Sequence, residues 1–162
     1  MIYNYVFLIY SCVVTFSRLY AIYCCSVLGV AHVADMFMVF DNPMDKYTQI
    51  IALGKQNSGI PDSKKNDTNR IWGCASMAWV ITKKKNHRFE VLTDSDTFIV
   101  KGLLNIIKFI VDGQTKNEIL KLSLEDILDN IGLEKSITSQ RTNGLINAIK
   151  KIKEQVNSYD KP

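Results

Sequence analysis

One thiol stands apart among the side chains able to act as nucleophiles. The 162 residues include four cysteines, and three of these, Cys12, Cys24 and Cys25, fall in the first 34 positions. Cys74 lies in Arg70-Ile71-Trp72-Gly73-Cys74-Ala75-Ser76-Met77-Ala78-Trp79-Val80, where a polar Lys/Asn-rich loop gives way to an apolar, β-prone run. Gly73 permits a backbone bend that a residue with a Cβ resists, so the pattern presents a small nucleophile at the mouth of a strand. A thiolate attacks sulfur best when the thiol titrates near ambient pH. Arg70 is the nearest fixed positive charge in sequence, and no side chain reads as a dedicated base. Taken alone, such a cysteine reads as a small buried hydrophobe. With no partner cysteine in the core, it fits a reducing compartment.

The other chemistry-bearing residues have simpler readings beside their functional ones. Asp94 and Asp96 are spaced as paired carboxylates, but Asp96 also fits the N-cap of the helix that follows. Arg141 falls in the first turn of the last helix, an odd place for a cation given the helix dipole. Its plain reading is a surface arginine. Trp79 reads as a core or pocket-lining aromatic. Lys83-Lys84-Lys85 reads as the solvated end of a hairpin, and His87 has no acidic neighbour in that basic turn. No His/Cys spacing matches a zinc site. The net charge of +4 is too mild to argue for nucleic acid.

These residues need elements to hold them. At 47% apolar and 22% charged residues, the chain has the composition of one globular domain with a real core. The domain is expected over 35–157, preceded by an apolar extension, 1–34, whose one formal charge is Arg18. Three readings of that extension stand: a targeting segment, a stretch outside the mature protein with a start near Met36 or Met38, and, ranked last, a membrane span interrupted by Arg18. Asp41-Asn42-Pro43 begins a helix over Met44–Leu53, which Gly54 ends. Residues 55–69 read as a loop whose charges solvate the surface. Met77–Thr82 and Arg88–Thr93 read as antiparallel strands, with Phe89 and Val91 inward. Ile99, Leu103, Ile106, Ile107 and Ile110 form the stripe of a central helix, and Gly102 within it signals close packing. Thr115 and Glu118 make a capping box. Ser123 starts another short helix, and Leu145, Ile149, Ile152 and Val156 stripe the last one. Segregated helices and a hairpin give an α+β fold. A third strand is expected, but the pattern does not place it.

Several separated motifs resemble the SufE family of sulfur acceptors. They are Gly73-Cys74-x-Ser76-x-x-Trp79, Asp94-Ser95-Asp96, Ile99-Val100-Lys101-Gly102-Leu103 and Thr138-Ser139-Gln140-Arg141-x-Asn143-Gly144-Leu145. The likeness runs from about Phe40 to about Lys153. It implies a small antiparallel sheet packed by helices on one side, and a sulfurtransferase-like carrier that activates its partner. Cys74 would take persulfide sulfur from a SufS-type cysteine desulfurase and pass it to a SufB-type scaffold for iron–sulfur cluster assembly. Arg70, Gly73, Trp79, Asp94, Asp96, Lys101 and Arg141 would support the cysteine loop or partner docking. Pyridoxal phosphate would belong to the desulfurase, leaving this chain with no cofactor or metal, in the cytoplasm or, if 1–34 is a targeting segment, an organelle interior. The rivals are a relay to another acceptor such as tRNA thiolation, a non-catalytic binding module, and a U-type scaffold, which needs more core cysteines. Ala75 and Met77 stand where the family usually has glutamines, which removes two amides that would shape the loop.

Overall fold

The structure, a computed structural model, describes residues 24–74, 76–133 and 137–159. Most of the apolar extension, including Cys12 and Arg18, lies outside the described residues, as does Ala75. The described elements are α1 (Cys24–Met38), α2 (Pro43–Gln56), β1 (Ala78–Lys85), β2 (Arg88–Ser95), α3 (Phe98–Val111), α4 (Lys116–Lys121), α5 (Leu124–Asn130) and α6 (Ser139–Ser158). Helix α1 runs across residue 34, and its Val33 and Phe37 are buried in the core. Among the described residues, no helix is long and apolar enough to cross a membrane.

The fold is α+β, a two-stranded antiparallel sheet with helices on its buried face. The register pairs Val80 with Thr93 and Thr82 with Val91, so Ala78, Val80 and Thr82 share the buried face with Phe89, Val91 and Thr93. Helix α3 packs on β2 and α6 on β1. The sequence FIVKGLLNIIKFIV is apolar nearly all round, which is why α3 becomes the buried centre rather than a surface helix. Of its expected stripe, Leu103, Ile106, Ile107 and Ile110 are buried and Ile99 is half-buried. Each buried side chain of this size contributes about 1.5–3 kcal/mol before entropy is counted.

Several expectations are corrected by packing. Gly54 does not end α2; it lies inside the helix, where a Cβ would overlap the Phe98 carbonyl oxygen of α3. Gly102 answers it, since its Cβ would overlap the Ile50 carbonyl oxygen. The two glycines bring the backbones of α2 and α3 into contact. Thr97, not Asp96, is the N-cap of α3. The lysine triplet is the end of β1 itself, and the turn is Asn86-His87, with Asn86 at φ +59°. The capping box holds, with the Thr115 N–H donating to Glu118 Oε2 at 2.7 Å.

The expected third strand shrinks to one antiparallel bridge, Arg70 with Trp79. Further along the same edge of β1, one side chain does a strand's job. The Gln155 amide accepts from the Thr82 N–H at 2.8 Å and donates to the Val80 carbonyl at 3.0 Å. The Tyr159 hydroxyl then donates to the Thr82 carbonyl at 2.6 Å. On the outer edge of β2, Asp112 Oδ1 accepts from the Val91 N–H at 2.7 Å, and Asn57 Nδ2 donates to the Thr93 carbonyl at 3.2 Å. Covered edges resist pairing with other chains.

Candidate functional site

Cys74 sits on a loop that leaves and re-enters the sheet at one point. The Ile71 N–H donates to the Ala78 carbonyl at 2.8 Å and closes the base. On the incoming limb, Asn147 Nδ2 of α6 donates to the Trp72 carbonyl at 3.0 Å. The Arg70 guanidinium lies over the Trp72 ring, 4.3 Å from its centroid. On the outgoing limb, the Met77 carbonyl accepts from Ser95 Oγ at 2.8 Å and from the Asp96 N–H at 3.1 Å. The Ser76 and Thr97 hydroxyls meet at 3.0 Å. Both limbs are thus fastened, and Gly73 and Cys74 lie between the anchors. Gly73 takes φ +79°, the left-handed region that favours glycine.

The Cys74 thiol is free and half-buried. It faces a cavity of about 10 Å³, room for about one water. Its wall includes Ile71, Ala78, Leu103 and Leu104, with Gly144 and Arg141 from α6. Arg141 is held there by its Nη1, which donates to the Tyr47 hydroxyl of α2 at 2.6 Å. Outside the cavity, Trp72 and Met77 expose apolar side chains, as does Phe98 at the start of α3.

The residues singled out in the sequence fall into two groups. Cys74 and Arg141 meet at the cavity, Gly73 precedes Cys74 on the loop, and Arg70 braces that loop through Trp72. Asp94, Lys101 and Trp79 lie elsewhere. Trp79 does not line the Cys74 cavity: it points to the opposite face of β1 from Ala78, with Lys65 Nζ 5.7 Å from its ring centroid. Asp94 and Asp96 do not pair as an acid–base couple. Asp96 is exposed and contributes its backbone N–H to the loop. Asp94 is buried and fully engaged: Lys101 Nζ is 2.9 Å from Oδ1, and Lys65 Nζ is 3.0 Å from Oδ2. The Ile60 and Ser95 N–H groups also donate to it. Burial pushes its carboxyl up, but the bonds from Lys101, the Ile60 N–H, Lys65 and the Ser95 N–H outweigh this. The net effect holds it below the ordinary carboxylate range. The charges of residues 55–69 therefore do more than solvate, since Lys65 ties that loop to β2.

Sequence reasoning missed Asn147 and Tyr47 as supports of the loop. A signal for Asn147 was present: Arg141, Gly144 and Asn147 recur every three residues, which puts them along one face of a helix.

With this geometry in view, comparison with known proteins is specific. The SufE model, described as an Fe-S metabolism associated domain, matches residues 31–156. An uncharacterised SufE-like protein of Rhizobium etli is 34% identical over 127 residues, covering 76% of this chain and 86% of that protein. The sulfur acceptor protein CsdE of Escherichia coli is 35% identical over 102 residues, covering 62% of this chain and 69% of that protein. A solution structure of a hypothetical protein from Thermus thermophilus aligns with TM-score 0.66 at 14% identity, covering 80% of this chain and 94% of that one. At that identity the likeness concerns the fold alone.

Proposed function

The chain belongs to the SufE family, and on that premise we propose that it is a sulfur acceptor working beside a cysteine desulfurase in iron–sulfur metabolism. Cys74 is the acceptor. Its thiolate attacks the outer sulfur of a persulfide on the desulfurase cysteine. A new S–S bond forms at Cys74 as the old one breaks, and the electron pair leaves on the desulfurase thiolate. Sulfur changes carrier, and no outside oxidant or reductant is needed. A second exchange of the same kind delivers it to a SufB-type scaffold. Pyridoxal phosphate stays with the desulfurase, and the compartment is a reducing one such as the cytoplasm.

The observation that carries this reading is a free thiol, half-buried in an apolar cavity, on a short span between two fastened limbs. The cavity wall limits oxidation of the resting thiol, and the exposed Trp72 and Met77 offer a partner an apolar contact beside it. Arg141, at the cavity wall, and Arg70, on the incoming limb, are proposed to steady the loop.

Incubation with a desulfurase and cysteine, followed by intact-mass measurement, tests the proposal. The wild-type chain should gain one sulfur and accelerate the desulfurase, whereas Cys74→Ser should gain none. No adduct and no acceleration would leave a binding module with an inert thiol. An adduct that transfers to tRNA-thiolation components but not to a cluster scaffold would redirect the delivery step.

A further inference from the structure

The cavity is shaped by a residue that carries no side chain. Gly144 is buried in the second turn of α6, and a Cβ built on it would lie 2.7 Å from Cys74 Sγ, closer than real Cβ contacts come. The next nearest atoms are also those of Cys74, its Cβ at 3.5 Å and its Cα at 3.7 Å. Among the described residues outside its own stretch of α6, nothing else stands closer to that point. Gly144 does not have a left-handed backbone that would require glycine, so an alanine fits the helix itself. What it would not tolerate is the thiol in its present place.

We propose that Gly144 is a positioning residue for Cys74: its missing side chain is the space that lets the thiol rest inside the cavity, and any larger residue shifts the thiol outward. A thiol can respond by rotating about one bond or by moving with its loop, and the loop has glycine at Gly73 to absorb the change. Gly144 therefore sets the balance between a sheltered thiol and one that reaches the surface. This deepens the sulfur-acceptor reading, and rests on it only for what the outward thiol is used for.

Two measurements that involve no desulfurase test the proposal. The first is the rate of iodoacetamide alkylation at Cys74 under native conditions, read by mass spectrometry of the peptide that carries it. Gly144→Ala should raise that rate about fivefold or more, the population shift that the low end of an overpacking penalty produces when it falls on the sheltered thiol. The second is a double-mutant cycle by urea unfolding. Gly144→Ala should destabilise the chain that has Cys74 and leave the Cys74→Ala chain nearly unchanged, because there the nearest remaining Cys74 atom is the Cβ at 3.5 Å, an ordinary contact. If Gly144→Ala alone does not fold, adding Cys74→Ala should restore folding. An unchanged alkylation rate, equal destabilisation in both backgrounds, or a double variant that also fails to fold would each overturn the proposal. A Gly144→Ala chain that alkylates faster but never accepts sulfur would count against the acceptor function and not against this role of Gly144.

Discussion

At the scale of single residues, the cysteine loop depends on two atoms of space and one backbone angle. Gly73 holds φ +79°, and a Cβ there would stand 2.6 Å from Asn147 Nδ2. Gly73→Ala therefore faces two separable costs. A left-handed backbone costs a residue with a Cβ about 1–2 kcal/mol, and the clash adds to it until the Asn147 side chain moves away from the Trp72 carbonyl. Made in an Asn147→Ala background, the same substitution should keep the backbone cost and lose the clash. Urea unfolding of the four chains checks this: Gly73→Ala should be cheaper in the Asn147→Ala background, with the backbone cost of about 1–2 kcal/mol remaining. Equal costs in both backgrounds would mean that the amide does not hold the loop at this point. The glycine and its bend were legible in the sequence because Gly-Cys at a loop–strand junction has few other uses. Asn147 was harder to see, because its one signal is the three-residue spacing from Arg141 and Gly144, and a half-buried amide on an amphipathic helix otherwise reads as solvent-facing polarity.

At the scale of elements, legibility followed the source of each element's stability. The stripe in α3 and the alternation of Phe89 and Val91 were readable because burial imposes a period on the sequence. The fate of Gly54 was not, because glycine just after an apolar stripe is the ordinary sign of a helix end. Only contact with a second helix shows that it is a crossing point. A third strand was expected where only a bridge forms, for a related reason: at Val80 and Thr82 the edge of β1 is covered by the Gln155 amide, and a single glutamine on a helix looks like solvent-facing polarity. The α2–α3 crossing predicts a steep penalty. At Gly102 an added methyl meets the Ile50 carbonyl rather than the tip of a flexible side chain, so the helices must separate. Gly102→Ala should cost about 3 kcal/mol and lower the melting temperature by about 10 °C, despite alanine's better helix propensity. Calorimetry reads this directly, and an unchanged or raised melting temperature would show that the helices do not cross at backbone contact.

Across the whole molecule, the short span carrying the thiol is set in a frame fastened on both sides. The outgoing limb of the loop is bonded to Ser95, Asp96 and Thr97, and Asp94 immediately before them fastens that junction to the rest of the fold. Its carboxylate receives Lys101 from α3, Lys65 from the long loop, and the Ile60 and Ser95 N–H groups. One buried charge thus joins β2, α3 and residues 60–65. Because the folded carboxyl titrates below its ordinary value, it binds its proton less readily in the folded chain than in the unfolded one. The stability it contributes is fully present above the unfolded value of about 4 and is lost as pH falls through the lower folded value. Unfolding free energy should therefore be flat on this account above about pH 5 and decline below about pH 4. Asp94→Asn, which keeps the shape and removes the charge, should lower stability by about 2–4 kcal/mol near neutrality. Its acid dependence should be shallower, so that the two chains converge at low pH, where the native carboxyl is itself neutral. Urea titrations of both chains across that range test this, and parallel curves would show that the frame around the thiol is held by packing rather than by this charge.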